Sequence, residues 1–221
     1  MKTSKPSGGL AVMADRREAV DSLDFFPTPP WATRALIEHV IGDVSGCSCW
    51  EPAAGAGHMA EVLRESFDAV RASDVHDYGK RYEIGSFVGD GLDVAPAATV
   101  DWIITNPPFN LAVEFAERAL GIASDGVALL VRTSWLESAD RYERLFRDRP
   151  PSRVGLFVER VPMVKGRWDP KASTATSYAW IVWRPFMKKS ETKIVWIPPG
   201  CRVGLTKSDD AAKFASEKEA A

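Results

Sequence analysis

Four consecutive residues, Asn106-Pro107-Pro108-Phe109, bring together groups that can hold a planar amino nitrogen. Paired prolines fix φ and remove two backbone donors, so the neighbouring carbonyls stay available as acceptors. The Asn106 side-chain carbonyl and the Pro107 backbone carbonyl could take both hydrogens of one NH₂ group. Such acceptors orient the nitrogen lone pair and stabilise the positive charge that develops as it attacks a methyl sulfonium. Phe109 offers a flat face on which an extruded base could stack. The competing reading is that Asn-Pro-Pro merely breaks a strand before a helix.

Two upstream turns weigh against that plainer reading, with a weaker third after them. Glu51-Pro52-Ala53-Ala54-Gly55-Ala56-Gly57 follows a short apolar strand, and its glycines allow a sharp bend and close approach to a ligand. His58 and Met59 stand where the dinucleotide fingerprint would want further glycine, so this is a different turn. Asp74 ends the next predicted strand, where a carboxylate can accept both hydroxyls of a ribose or simply cap the turn. Asp90, after a weaker third strand, could meet an adenine amino group.

The elements that must position these turns alternate along the chain. A helix is expected from an N-cap at Thr28 and first-turn Pro29 to Gly42, with Trp31, Ala35, Leu36, Val40 and Ile41 at helical spacing. Strands are expected at residues 47–51, 69–73, 85–88 and 100–105, and helices at Met59 to Phe67 and Leu111 to Ile122. The unbroken apolar run 127–131 suits a central parallel strand covered on both faces. A further helix is expected at 142–146. Residues 153–159 and 178–184 read as an antiparallel hairpin closing one sheet edge, and 193–197 as one more edge strand. Together they predict an α/β fold: a Rossmann-like, seven-stranded, mostly parallel sheet with an antiparallel edge hairpin and helices on both faces. In such sheets ligands bind beyond the carboxyl ends of the strands, where the strand order reverses.

Glu51-Pro-Ala-Ala-Gly-Ala-Gly57 followed by Asn106-Pro-Pro-Phe109 resembles the class I methyltransferases that act on amino nitrogens, including DNA adenine-N6 enzymes. Phe26-Pro27-Thr28-Pro29-Pro30 resembles the segment that precedes their cofactor turn. The resemblance spans about residues 25–185. It implies S-adenosylmethionine as cofactor, with Thr28 and Pro29 against its methionine end. Glu51, Pro52, Ala53, Gly55 and Gly57 would approach the methionine part, Asp74 the ribose and Asp90 the adenine. Asn106, Pro107, Pro108 and Phe109 would hold the target, with Asn106 also bordering the cofactor. Relatives with this motif order usually carry a separate target-recognition domain, for which the residues after Arg184 leave no room. DNA is the expected partner, with RNA or a protein glutamine amide as alternatives. A non-catalytic cofactor- or partner-binding module is the reading from another class.

The composition is that of a globular protein: the 221 residues are 45% hydrophobic and 26% charged. A net charge of −2 argues against wide, unspecific contact with nucleic acid, so any such contact must be local. The best local candidate is the 160–177 segment, where Arg160, Lys165, Arg167 and Lys171 surround Trp168. Cations around an aromatic suit phosphate contact with base stacking, although a solvated hairpin loop fits equally well. The arginines at 141, 144, 147, 149 and 153 alternate with acids and read as surface ion pairing, while Trp180 and Trp183 read as packing on opposite strand faces. His58 and His76 receive no role. Three cysteines without ligand spacing predict no metal site and no disulfide framework. With no apolar run of membrane length, the expected setting is cytoplasmic. Residues 1–22 and 207–221 are expected to be flexible tails around a methyltransferase domain at 23–206.

Overall fold

The computed structural model describes residues 25–89, 99–184 and 191–214. In chain order these form α1 (Pro30–Leu36), β1 (Ser48–Glu51), α2 (His58–Leu63), β2 (Ala69–Asp74), β3 (Glu83–Ile84) and β4 (Val100–Thr105). They continue with α3 (Ala112–Ile122), β5 (Ala123–Arg132), α4 (Ala139–Arg141), β6 (Arg153–Phe157), β7 (Tyr178–Trp183), β8 (Lys193–Ile197), α5 (Cys201–Gly204) and α6 (Asp210–Phe214). The strands make one eight-stranded sheet in the order β3-β2-β1-β4-β5-β7-β6-β8. Pairing is parallel except on both sides of β7, which runs antiparallel to β5 and β6.

Period-two alternation explains why the central strands read as apolar throughout. Trp102, Ile104, Ala128, Leu130, Trp180 and Val182 enter one core with the buried side chains of α1 and α2. Ile103, Val127, Leu129, Val131, Ile181 and Trp183 enter the other, beneath α3. Both faces of β4, β5 and β7 are covered, so no position on them needs to be polar. Trp180 and Trp183 sit in opposite cores, as their spacing predicts, and donate their indole N–H groups to the carbonyls of Ala32 and Arg149.

Several expectations are corrected. The sheet has eight strands rather than seven, and the β6–β7 hairpin does not close an edge: β7 is interior, while β8 takes the outer position at residues 193–197, where one more edge strand is expected. Tyr178–Trp183 is buried along its whole length and needs a neighbour on each side, which β5 and β6 supply. The third strand is Glu83–Ile84, not 85–88, because Phe87 turns inward onto Trp50 and the chain leaves the ladder there. Thr28 is not a helix cap. Extended Pro29 precedes the helix without a side-chain cap bond, and Thr28 is buried. The first helix also widens into a π turn at Ile37–Ile41 before ending at Gly42, and Tyr142–Phe146 is likewise a π turn.

Residues 207–214 are not a tail either. Asp210 is fully buried, and both its oxygens accept from Arg34 at 2.7 Å. Phe214 packs with Val62 and Trp168. The expectations for residues 1–22 and 215–221 lie outside the described residues.

Candidate active site

Strand order reverses at β1, whose neighbours are β2 on one side and β4 on the other. The carboxyl ends of these strands bring Glu51, Asp74 and Asn106 to one cleft of about 560 Å³, which Phe25, Thr28, Ala53 and Gly55 also line. Residues 23, 32 and 55 positions apart in sequence are thus gathered by parallel pairing alone, as the rule for ligand sites in open α/β sheets anticipates.

The turn after β1 is held by its neighbours. Ala54 donates its N–H to the Ser73 carbonyl at 3.0 Å, and Gly55 donates to Asp74 Oδ2 at 2.8 Å. Gly55 and Gly57 have φ of 53° and 90°, a region that side chains with a Cβ rarely adopt. A Cβ on Gly55 would strike the Phe25 ring, and one on Gly57 would strike the Tyr82 hydroxyl. Gly57 then leads into α2 from the left-handed region. Asp74 accepts the His76 amide through Oδ1 at 2.9 Å, so both carboxylate oxygens brace backbone while still bordering the cleft. Burial holds the Asp74 carboxyl above its ordinary range against these two amide donors.

Glu51 is only 2% exposed, and its Oε2 has no partner. Burial, and then the nearby charge of Asp74, push its carboxyl well above the usual carboxylate range. A buried carboxyl with an unpartnered oxygen is costly unless a donor or a cation meets it.

Asn106 follows β4, and its orientation is fixed by chemistry. Its Nδ2 donates to the Phe26 carbonyl at 2.9 Å, with Met163 Sδ at 3.7 Å. Because a carbonyl cannot donate, the reversed amide would set two oxygens against each other. The side-chain oxygen is therefore left buried and without a partner, on a residue that lines the cleft. Pro107 is buried, and Pro108 closes the following turn by accepting the Leu111 amide at 3.0 Å. Phe109 packs against the first core, its ring centroid 5.4 Å from Phe26 and 6.5 Å from Tyr178, with the Arg132 guanidinium 4.2 Å from its own centroid.

The structure thus gathers Thr28, Glu51, Ala53, Gly55, Asp74, Asn106 and Pro108 in one cleft. Pro52 and Gly57 are buried within the same turn without lining it, and Pro29 borders a separate groove beside Trp31 and Trp168. Asp90 lies outside the described residues. The 160–177 segment needs correction at its aromatic. Trp168 is 3% exposed, wedged against Val62 and Phe214, because a side chain of that area is stabilised more by burial than by waiting for a ligand. Around it Arg160, Lys165, Arg167 and Lys171 are exposed, with Arg167 facing Asp169 at 3.6 Å, and none of the four lines the cleft. Gly166 donates its N–H to the Phe25 carbonyl at 2.9 Å, fastening this segment to the one that roofs the cleft.

Phe25, Tyr78 and Arg132 were missed in the sequence reading. Only Arg132 carried a signal, as the charge ending the fully apolar strand. His58 also lines the cleft, but burial pushes its pKa down to about 4, and its Nε2 lies 3.2 Å from the Phe214 carbonyl. The ring is neutral and donates there. Among the described residues no cluster of three or more His, Cys, Asp or Glu is placed to hold a metal, and no helix is long and apolar enough to cross a membrane.

No protein-family model matches the chain, and no curated protein matches it. Solved structures share its fold. The methyltransferase subunit of a type I restriction-modification system from Streptococcus thermophilus superposes with a TM-score of 0.55 at 8% identity, covering 76% of this chain and 45% of that one. A protein described as a modification subunit of a type I restriction enzyme from Vibrio vulnificus YJ016 gives 0.52 at 15% identity, covering 86% and 51%. The chain therefore spans about half the length of each. At these identities the likeness is one of fold: an α/β sheet of the methyltransferase type, mostly parallel with an antiparallel part.

Proposed function

We propose that the chain is an S-adenosylmethionine-dependent methyltransferase acting on a planar exocyclic amino nitrogen, with adenine N6 in DNA as the acceptor. The single observation that carries this reading is the Asn106 side-chain oxygen, buried without a partner and oriented by Phe26 in the cleft that Glu51 and Gly55 also line. A buried acceptor lacking a donor is a standing free-energy cost. An NH₂ group from a target relieves it.

The residues present fit the proposed cofactor. Glu51 holds an unsatisfied buried carboxyl oxygen, suited to a ligand that is cationic at sulfur and at its amino group. Gly55 lines the cleft without a side chain, and Asp74 retains lone pairs for ribose hydroxyls beyond the two amides it accepts. Thr28 adds a buried hydroxyl at the cleft wall, and Asp90 is assigned to the adenine by resemblance. When bound, S-adenosylmethionine supplies an electrophilic methyl group on a positively charged sulfur. Asn106 accepts an N–H of the target, turning the nitrogen lone pair towards the cleft and stabilising the charge it gains. The Pro107 carbonyl is assigned to the second hydrogen. Phe109 provides the stacking surface. The fold shared with two restriction-modification subunits supports DNA as the polymer.

The test is to incubate the protein with methyl-labelled cofactor and unmethylated DNA, then digest and identify the modified nucleoside. N6-methyladenine is the expected product. Label found only in RNA or in a protein glutamine would move the acceptor to those classes, and no transfer to any of them would leave a binding module.

A further inference from the structure

Beside the cleft a second pocket of about 460 Å³ is lined by Phe109, Arg132, Ser134, Trp135 and Arg141, with no acid in its wall. Its two cations are held differently. Arg141 donates to the carbonyls of Trp135 and Glu137 and lies over the Trp135 ring, so its charge is committed to the scaffold. Arg132 is exposed at the carboxyl end of β5, and no carboxylate among the described residues pairs with it. Its guanidinium rests 4.2 Å from the centroid of the Phe109 ring. The Phe109 ring also packs against Phe26 and Tyr178 of the core. A planar group that stacks on the Phe109 face over which the Arg132 guanidinium lies must take the place of Arg132.

We infer that Arg132 is a displaceable, specificity-determining residue: it covers the Phe109 face in the free protein and transfers its charge to a phosphate of the nucleic acid whose base displaces it. This rests on the reading that Phe109 stacks the acceptor. A guanidinium lifted off an aromatic face loses a modest attraction. A nucleotide strand returns a charge-assisted hydrogen bond to phosphate, whereas an uncharged amide side chain or a free base returns nothing. The exchange favours a polymer over a lone planar ring.

The two halves of the exchange have opposite signs, which a merely structural role would not produce. With S-adenosylhomocysteine saturating the cofactor site, Arg132→Ala and Arg132→Lys are compared with wild type for two ligands. The first is 9-methyladenine, a ring without phosphate, measured by calorimetry. The second is a fluorescein-labelled mixed-sequence duplex, measured by anisotropy across a salt series. Arg132→Ala should bind 9-methyladenine about two- to fivefold more tightly, the size of an exposed cation–π contact. It should bind the duplex more weakly, with a log K against log salt slope shallower by about 0.9, one phosphate contact. Arg132→Lys should keep the wild-type slope. Shifts in the same direction for both ligands, or no shift in either, overturn the inference. Methyl transfer by the wild type is scored separately: transfer without the opposed shifts removes the role of Arg132 alone, and no transfer removes the catalytic reading with it.

Discussion

Asn106 Oδ1 and Glu51 Oε2 are each a buried acceptor atom with nothing to accept from. Asn106→Ala removes the oxygen that would meet the target nitrogen and also frees the Phe26 carbonyl. Loss of one preorganised polar contact to developing charge costs about 10²–10³ in kcat. The variant should therefore lose transfer by that order while retaining affinity for the cofactor in calorimetry. Equal loss of cofactor affinity would show that Asn106 only shapes the cleft. For Glu51 the sign follows from burial. Its folded-state pKa lies above the unfolded value, so the folded chain holds the extra proton. Stability of the free protein is then full below the ordinary glutamate pKa and falls as pH rises through the folded value. Glu51→Gln should flatten that fall in Tm against pH. A cationic ligand favours the ionised carboxylate, so affinity for S-adenosylmethionine should rise with pH in the wild type and not in Glu51→Gln. Proton release, read by calorimetry in buffers of different ionisation enthalpy, checks this directly.

Among the elements, the short α6 does more than its five residues suggest. Asp210 accepts two bonds from Arg34 of α1 and one from the Lys207 amide at 2.8 Å, while Phe214 stacks on His58, the first residue of α2, with ring centroids 5.5 Å apart. The helix thereby pins α1 to the helix that follows the turn after β1. Asp210→Ala leaves Arg34 with Glu65 and the Leu205 carbonyl, and should lower unfolding stability by about 2–3 kcal/mol in a urea titration, since it breaks a buried, hydrogen-bonded charge pair. An unchanged midpoint would return 207–214 to the status of a tail.

At the scale of the whole molecule, a net charge of −2 argues against wide, unspecific contact with the proposed nucleic-acid partner. Among the described residues, Arg144 is taken up by Glu114 and Glu117, Arg34 by Asp210, and Arg184 by Asp125, so these three are committed within the fold. Two or three phosphate contacts predict that affinity for a mixed duplex falls by about ten- to fortyfold between 50 and 200 mM salt. A fall of about a thousandfold or more would point to a wide basic surface that these ion pairs do not leave. The same restraint agrees with a site in which a few residues at strand ends, rather than a charged face, do the selecting.

The sequence alone determined the strand-end turns. Gly55 and Gly57 need backbone that other residues resist, two prolines strip donors from the chain, and both effects are local enough to read from spacing. Sheet order was only half legible. The unbroken apolar run marked β5 as covered on both faces and 193–197 read as an edge strand, yet the interior place of β7 does not follow from pattern, because pairing partners are chosen by surfaces distant in sequence. Tertiary structure alone decided which polar atoms were left over. Phe26 consumes the Asn106 donor, Trp168 sinks into the core, and Arg132 settles on Phe109, and each of these outcomes depends on a neighbour that no spacing rule can supply.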